Sequence, residues 1–373
     1  MKPLELILSK ILPFLVFILF IAFIWQNRFI YNSPFAFQNL TNLYNWSQFT
    51  PQNGHKIFTI NDEDLYAFAG WSYLTTGKIG QINIEHPPLG KYFIGFSILF
   101  FHNQNIGQIF WGVLLLVLVY LLIFRISQEP LIATAVVLLV FLEPLFQEQL
   151  THSLLDLSQM VFVFIYLLFL PKNTRISTLI SGISLGAVAA IKFPALALIM
   201  ALASFIAVFV QRKIQLQVKR LLIIYAIGLA VFVLCYLPFI LTSGIFAWFE
   251  LLLKALKIHL SHVPEYPKGV VWRILFLNQW PRWWGIKGYQ TAPFWQLTWP
   301  IIGLAFVLNP FLVAKKKILK KEPEVILFVW FYLLFLSSRL FFPAYLLPIL
   351  PFGFLFLFWL IQLFFRKKGY FSD

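Results

Sequence analysis

The stretch from Gly107 to Phe124, GQIFWGVLLLVLVYLLIF, contains no charged residue and only one amide side chain, that of Gln108. As an α-helix it would extend over about 27 Å, which is close to the roughly 30 Å thickness of the hydrocarbon core of a bilayer. Because lipid offers the backbone no hydrogen-bond partner, such a run must satisfy its own amide and carbonyl groups. The stretch therefore predicts a membrane-spanning helix.

The whole chain shares this apolar character. Of its 373 residues 60% are hydrophobic and 12% charged, with 44 Phe and 13 Trp, and the mean hydropathy is +0.82. These values exclude a soluble globular protein. The sequence predicts an all-α polytopic membrane protein with about ten transmembrane helices. The spans are predicted near 7–25, 107–124, 130–147, 157–171, 176–191, 194–210, 221–241, 299–313, 325–338 and 343–364.

The basic residues indicate how the chain is oriented. With ten spans both termini lie on one side, and that side collects 17 of the 29 Lys and Arg residues in short connections and tails. These residues are Lys2, Lys10, Arg125, Lys172, Arg175 and the basic residues within 212–220, 315–321 and 366–368. By the positive-inside rule both termini are predicted to be cytoplasmic. Because topology accounts for most of the net charge of +15, nucleic-acid binding is not indicated.

Nothing in the sequence suggests a separate soluble domain. The single cysteine, Cys235, lies within an apolar run, so neither a disulfide framework nor a Cys-based metal site is expected. No small-residue cleavage site follows the first apolar run, which favours a retained span over a signal peptide. Residues 1–373 are predicted to form one membrane domain without internal repeats.

Two long loops, 26–106 and 242–298, are predicted on the extracytoplasmic side. Within the first, Tyr92 to Phe101 is apolar but covers only about 15 Å as a helix, so we expect an interfacial or re-entrant helix there. In the second, Phe246 to His262 is an apolar stripe interrupted by basic residues. That pattern is typical of a helix lying in the headgroup plane.

The first loop also contains a cluster of side chains that could take part in catalysis or binding. From Asn61 to Lys91 it reads NDEDLYAFAGWSYLTTGKIGQINIEHPPLGK, with three consecutive acids at 62–64 and the string EHPPLGK at 85–91. Charged groups are rare in this chain, and here they stand beside two consecutive prolines. Loops held by a membrane scaffold commonly carry functional residues, so this segment is the first candidate for a site.

The segment resembles the first extracytoplasmic loop of glycosyltransferase family 39, the protein O-mannosyltransferase group that includes the lipid A aminoarabinose transferases. The resemblance is carried by Asp62-Glu63 followed by Tyr66, by Thr76-Gly77 and by the HPPLGK string.

Three later motifs resemble the same family in the same order. Leu154-Leu155-Asp156 is similar to its second acidic site, and GAVAAIK at 186–192 to its small-residue helix ending in Lys. RLFFPAY at 339–345, with Pro348 and Pro351, is similar to its final loop and last span. The chain has no room for the soluble luminal insert of the eukaryotic members. Glycan, lipid and protein acceptors stay open, with protein the least supported.

The resemblance implies a GT-C fold and a polyprenyl-phosphate-linked sugar as donor. Transfer to an acceptor hydroxyl would be an inverting single displacement on the extracytoplasmic face. Asp62 is the predicted base, Glu63 shares that role or orients the acceptor, and Asp156 approaches from another helix. These three form the predicted catalytic set.

The departing lipid phosphate needs cations or hydrogen-bond donors where negative charge develops. Lys91, Lys192 and Arg339 are the predicted phosphate holders, and the resemblance adds further substrate-binding residues, namely Tyr66, His86 and Tyr345. No metal ligand is assigned, and a divalent cation stays open as a cofactor. His259 and His262 have no local third ligand and are predicted to face lipid headgroups.

Each of these residues also has a purely structural interpretation. The acids at 62–64 could cap the following helix, and Asp156 could cap the helix that it opens. His86 beside two prolines could be part of a rigid loop exit. Lys192 and Arg339 could be span-end residues whose side chains reach the interface.

Two other functions stay open at the sequence level. One is a transporter or flippase for a lipid-linked or anionic solute, since acids and bases within a helical bundle would serve transport. The other is a non-catalytic binder of a lipid-linked sugar. The acids cluster in one predicted outer loop rather than at mid-span, which favours an enzyme over a transporter. We expect this enzyme in a bacterial or archaeal plasma membrane.

Overall fold

The computed structural model describes residues 3–50, 59–211, 214–261, 268–282, 288–316, 318–339 and 341–367. Some residues with a predicted role in topology or in a motif lie outside the described residues: Lys2, Arg212, Lys213, His262, Lys317, Leu340 and Lys368.

The first part of the chain forms a long helix followed by four helices of the first predicted outer loop. These are α1 (Pro3–Gln26), α2 (Arg28–Asn32), α3 (Phe37–Asn45), α4 (Asp62–Thr76) and α5 (Leu89–Phe101).

The middle part is a run of mostly apolar helices. They are α6 (Ile106–Ser127), α7 (Pro130–Leu142), α8 (Pro144–Thr151), α9 (Asp156–Phe169), α10 (Arg175–Ile191), α11 (Pro194–Gln211) and α12 (Ile214–Cys235).

The last part contains the second predicted loop and the final helices. Its elements are α13 (Leu237–Ser243), α14 (Ile245–Ser261), α15 (Val270–Leu277), β1 (Trp280–Pro281), β2 (Tyr289–Gln290), α16 (Thr298–Lys316), α17 (Ile318–Lys321), α18 (Pro323–Ser338), a 3-10 turn (Pro343–Leu346) and α19 (Leu350–Lys367). The two short strands pair antiparallel, with Trp280 opposite Gln290.

Among the described residues two helices are long and apolar enough to cross a membrane, or three if one bent pair counts as a span. Ile106–Ser127 and Gln217–Cys235 can each cross a bilayer alone, and α7 with α8 passes as one pair bent by 63°. Further helices are apolar but only 10–17 residues long. All the predicted spans coincide with helical segments, so the all-α polytopic membrane fold is confirmed.

The predicted span 130–147 is broken at Glu143. Pro144 begins α8, and the Glu143 carboxylate accepts hydrogen bonds from Gln296 Nε2 (3.1 Å), Thr298 Oγ1 (3.2 Å) and Trp299 Nε1 (3.1 Å). A helix passing straight through this point would carry the carboxylate away from those donors. The break turns α8 towards the loops that surround the candidate site.

The predicted last span, 343–364, begins as a helix only at Leu350. Pro343 opens a 3-10 turn, and Pro348 has no amide to donate to a helix. Tyr345 therefore lies in an irregular segment beside the ends of the other helices.

The acids at 62–64 form the first turn of α4, but they do not cap it. The cap is Asn61, whose side chain accepts a hydrogen bond from the Asp64 amide at 2.9 Å. Negative side chains here are favourable beside the positive end of the helix dipole. Because Asn61 serves as the cap, the carboxylate of Asp62 is left for other partners.

Close backbone contact joins α4 to α5. A Cβ added at Gly70 would collide with the carbonyl oxygen of Lys91 and lie 2.9 Å from the amide of Gly95. Glycine at both positions lets α4, which carries Asp62, lie directly against α5, which begins within the HPPLGK string. Close packing of the two helices therefore explains why these two residues are glycines.

Gly90 of the HPPLGK string joins this pair to the rest of the bundle. A Cβ at Gly90 would lie 2.9 Å from side-chain carbons of both Ile191 and Leu155. These two residues stand at the end of α10 and just before α9. The loop motif therefore packs where Asp156 and Lys192 are found.

Candidate functional site

A cavity of about 690 Å³ lies between the first predicted loop, the ends of α8 to α10 and the segment before α19. Its wall includes eight of the nine predicted site residues, brought together from distant parts of the chain. They are Asp62, Glu63, Tyr66, His86, Asp156, Lys192, Arg339 and Tyr345.

Asp62 presents an exposed carboxylate to this cavity from the first turn of α4. The surrounding protein nevertheless removes enough water that burial raises the pKa of this carboxyl; the Lys192 ammonium opposes the shift, and the Asp156 carboxylate adds to it. The Tyr66 hydroxyl, itself fully buried, hydrogen-bonds to the Asp62 side chain. A carboxylate held in this way can accept a proton from a bound hydroxyl group.

Asp156 and Lys192 form a buried ion pair. The Lys192 ammonium donates to both carboxylate oxygens, at 2.9 and 2.7 Å, and each residue is less than a tenth exposed. Pro194 begins α11, so the chain turns at Lys192 and directs its side chain to the start of α9. Such a pair holds the ammonium in one place but also offsets its charge.

Aromatic rings surround the cations at this end of the cavity. The Lys192 ammonium lies 5.0 Å from the centre of the Tyr345 ring. The Arg339 guanidinium lies 5.2 Å from the Phe335 ring and 6.0 Å from the Phe193 ring. Arg339 forms no ion pair with any described residue. Its positive charge is therefore not offset by a described carboxylate and is available to an anionic ligand.

Glu63 points to a different partner from Asp62. Its Oε2 lies 3.5 Å from His152 Nε2, and its backbone carbonyl accepts a hydrogen bond from Ser153 Oγ at 3.1 Å. Burial raises the pKa of Glu63, the imidazole of His152 lowers it, and the neighbouring Asp64 raises it. The two acids of the Asp-Glu pair thus face different parts of the cavity.

His86 is held in an aromatic cage. Its ring centre lies 5.8 Å from that of Tyr66 and 5.7 Å from those of Phe193 and His259. Nδ1 lies 3.2 Å from the carbonyl oxygen of Lys192. Burial, and after it the charge of Lys192, lowers the pKa of His86 well below its ordinary value. The imidazole is therefore neutral at physiological pH.

Lys91 is the one predicted site residue that does not line the cavity. Its ammonium is fully buried and donates to the carbonyl oxygens of Asn83 (2.5 Å) and His86 (2.6 Å) and to the Tyr73 hydroxyl (3.2 Å). Burial lowers the pKa of this group well below that of an ordinary lysine. Lys91 ties the loop before α5 together, and this contrasts with its predicted contact to phosphate.

The residues that line the cavity without having been predicted as site residues include Glu85, Glu148, Gln149 and His152. Glu148 lies on α8, and His152 is the residue after its end, with Nδ1 3.0 Å from the carbonyl oxygen of Glu148. The predicted topology placed residues 148–156 on the same side as the first loop but gave these side chains no role. The break at Glu143, which brings α8 to the cavity, has only the Glu-Pro dipeptide as a sequence signal.

The prediction that His259 faces lipid headgroups is wrong. Its Nε2 lies 2.8 Å from the carbonyl oxygen of Glu85, and the residue lines the cavity. The apolar stripe of α14 predicted the helix correctly, but helical periodicity places His259 on the side that packs against the first loop.

No group of three or more His, Cys, Asp or Glu side chains among the described residues is arranged to hold a metal ion.

No protein-family model matches the chain, and no curated protein does. Among solved structures it is similar to ArnT from Cupriavidus metallidurans bound to undecaprenyl phosphate, with 16% identity and a TM-score of 0.60 over 94% of this chain and 61% of that one. The apo structure of the same protein has 18% identity and a TM-score of 0.55 over 83% and 57%. The chain thus spans about three fifths of the length of ArnT. The likeness shows that it has the GT-C fold that its motifs predicted.

Proposed function

We propose that this protein is a membrane glycosyltransferase that moves a sugar from a polyprenyl-phosphate-linked donor to an acceptor hydroxyl. One observation carries the proposal. Asp62, which is free of any capping role, lies in one cavity with two cations, Lys192 and Arg339, that come from the ends of α10 and α18. A base beside cations is the arrangement that transfer away from a phosphate leaving group needs. The similar ArnT structure is bound to undecaprenyl phosphate, which supports a ligand of this class.

In the proposed reaction the acceptor oxygen attacks the anomeric carbon of the sugar. Its proton passes to the Asp62 carboxylate as the new glycosidic bond forms. The bond between the anomeric carbon and the phosphate oxygen breaks, and polyprenyl phosphate leaves with the electron pair. A single displacement of this kind inverts the anomeric configuration.

The leaving phosphate is assigned to Arg339 and Lys192. Arg339 has a planar guanidinium that can donate two parallel hydrogen bonds to a phosphate. Lys192 contributes an ammonium that the Asp156 carboxylate holds in place. Asp156 is therefore proposed as a positioning residue rather than as a second base. The Tyr345 ring, 5.0 Å from the Lys192 ammonium, closes this end of the cavity.

The remaining predicted residues have supporting roles in this proposal. Tyr66 donates a hydrogen bond that orients the Asp62 carboxylate. Glu63 faces His152 and orients the acceptor, although it stays the second candidate for the base. His86 is neutral and caged, so it positions Lys192 through the Lys192 carbonyl. Lys91 supports the loop and is not assigned to the phosphate.

The finer assignments rest on the sequence motifs. The motifs that resemble the protein O-mannosyltransferase group favour a mannosyltransferase-like enzyme, and the charge pattern favours a plasma membrane with cytoplasmic termini and an extracytoplasmic active site.

The test is release of free polyprenyl phosphate. Purified protein in lipid nanodiscs is incubated with a polyprenyl-phosphate-linked sugar and an alcohol acceptor. We expect product and free lipid phosphate to form in equal amounts. Asp62→Asn keeps the shape but removes the proton acceptor, so turnover should fall by about 10²–10⁴-fold with donor binding retained.

A matched control is Glu129→Gln, which changes an exposed carboxylate outside the cavity and should turn over like the parent. Binding of the donor without release, in the parent and in Asp62→Asn alike, would identify a non-catalytic binder. Movement of the intact lipid-linked sugar across the bilayer without cleavage would identify a flippase.

A further inference from the structure

The wall of the cavity carries more acidic than basic side chains. Among the described lining residues five carry carboxylates, whereas only Lys192 and Arg339 carry a permanent positive charge. Lys192 is already paired with Asp156. We call the group formed by Glu63, Glu148, Gln149 and His152 the acidic end.

The acidic end is built from two elements. Glu63 reaches it from the first turn of α4, and the other three come from α8 and the residue after it. The contact between Glu63 Oε2 and His152 Nε2, at 3.5 Å, joins the two elements. Glu148 lies one helical turn before His152 and faces the same cavity.

Gln149 provides an independent sign that a ligand binds here. Its side chain is fully buried, and neither its amide nitrogen nor its carbonyl oxygen has a hydrogen-bond partner among the described residues. Leaving such a group unsatisfied costs about 1–3 kcal/mol. Because Gln149 also lines the cavity, a polar ligand that enters from the cavity can supply the missing partners.

We propose that the acidic end binds an unphosphorylated, hydroxyl-rich saccharide head group of the acceptor, an inference that rests on the proposed function. Carboxylates accept hydrogen bonds from hydroxyl groups, and a primary amide both donates to a sugar hydroxyl and accepts from one. A phosphorylated head group would instead place like charges against Glu63 and, above the pKa of about 7 to which burial raises Glu148, against Glu148 as well. The combination of acceptors and one amide is suited to vicinal hydroxyl groups.

The position of Asp62 agrees with this assignment. Asp62 precedes Glu63 in the first turn of α4 and lines the same cavity as Lys192 and Arg339. A saccharide held at the acidic end would offer a hydroxyl to Asp62, and the donor phosphate would be held by Arg339.

The test measures binding directly, without turnover. Saturation-transfer NMR of the protein in nanodiscs is recorded at about pH 8, above the pKa of about 7 to which burial raises Glu148, with saturating polyprenyl phosphate to fill the site of Arg339 and Lys192. The probes are octyl β-D-glucoside, its 6-phosphate and octyl β-D-glucosaminide, each below its micelle concentration. We expect the neutral glucoside to bind and the 6-phosphate to bind at least about tenfold more weakly, as repulsion worth one charged contact implies.

Two variants locate the binding. Gln149→Leu removes hydrogen bonds that no described residue satisfies, so folding should be preserved while affinity for the glucoside falls about 3- to 10-fold. Glu148→Gln should weaken the glucoside about tenfold and relieve the discrimination against the 6-phosphate. Glu129→Gln should match the parent for every probe.

Equal or tighter binding of the 6-phosphate would overturn the proposal, as would parental affinity in both Gln149→Leu and Glu148→Gln. Tighter binding of the glucosaminide than of the glucoside would overturn it in favour of an amine-bearing acceptor. Release of polyprenyl phosphate is measured in parallel. Glucoside binding without release of polyprenyl phosphate would support the saccharide site and refute the transferase. Release of polyprenyl phosphate with a preference for phosphorylated acceptors would support the transferase and refute the saccharide site.

Discussion

Asp62 has the environment of a carboxyl whose pKa lies above that of an ordinary aspartate. Burial raises the pKa of its carboxyl above the ordinary value near 3.9, Lys192 lowers it in part, Asp156 raises it again, and the Tyr66 hydrogen bond lowers it. A base must be deprotonated, so the rate should be full above the raised pKa and fall as the pH drops through it. We expect the acidic limb of kcat/KM to lie above pH 4.

The measurement is a pH profile of sugar transfer by the parent protein between about pH 4 and 8, the range over which a raised carboxyl pKa is visible. Glu129→Gln serves as the control and should give the same profile. If kcat/KM falls only at the pKa of an ordinary aspartate, the surroundings do not raise the pKa of the Asp62 carboxyl.

Arg339 differs from an interfacial anchor in how it should tolerate replacement. A residue that only anchors a span end can be exchanged between Arg and Lys at little cost, but a two-pronged phosphate contact cannot, because lysine lacks the planar fork. Arg339→Lys should weaken binding of the donor by about 1.5–3 kcal/mol, the usual value of a charged hydrogen bond.

The matched variant is Arg28→Lys, at an exposed arginine beside the end of α1 that contacts only nearby Trp25 in the described structure. It should bind the donor like the parent. If Arg339→Lys binds the donor as tightly as the parent, at the same yield of folded protein, Arg339 only anchors the end of its helix and does not contact the phosphate.

The ion pair of Asp156 and Lys192 should contribute both to the free energy of unfolding and to donor binding. Lys192→Ala would leave a carboxylate that is only 7% exposed without its partner, which should lower the free energy of unfolding by about 3–5 kcal/mol. The double variant Asp156→Leu/Lys192→Met removes both charges, so it should recover most of this loss without recovering donor binding. Thermal unfolding in detergent and donor affinity are measured on both variants. Donor binding by the double variant would exclude Lys192 from the phosphate contact.

At the scale of elements, the contact of α4 with α5 holds the base in position. Gly70→Ala would push a Cβ against the Lys91 carbonyl and the Gly95 backbone, neither of which can move aside as a side chain can. We expect a loss of about 1–3 kcal/mol in stability from overpacking, with reduced turnover because Asp62 shifts.

Gly107→Ala is the control for this prediction. Its added Cβ would meet only the Ser97 side chain, at 3.2 Å, and alanine has the better helix propensity. Thermal unfolding and turnover are compared for the two variants. Equal stability of Gly70→Ala and Gly107→Ala would mean that the two helices can separate without cost.

The scale of the whole molecule decides which side of the membrane the cavity faces. If the basic clusters are cytoplasmic and α5 does not cross, tags at both termini should report the cytoplasm. A reporter inserted near Gln81, which is exposed in the loop between α4 and α5, should report the opposite side. Termini found on opposite faces would refute the ten-span topology and the extracytoplasmic site with it.

The sequence alone determined where the helices lie, because lipid forces an apolar run of sufficient length to satisfy its own backbone. The stretch 107–124 became α6, and the other predicted spans are helical as well. Proline positions carried part of the detail, since Pro144 and Pro194 begin helices where they stand. Motifs at 62–66 and 85–91 also identified residues of one cavity without any three-dimensional information.

Only the tertiary structure decided what each charge is paired with. Lys91 precedes an apolar run and Lys192 follows one in the sequence, yet one is buried under loop carbonyls and the other meets Asp156. Glu148 and His152 follow the predicted span 130–147, and only the tertiary structure shows that His152 contacts Glu63. Electrostatic interactions depend on distance and burial, and neither follows from periodicity, which reports only the face that a residue occupies on its own helix.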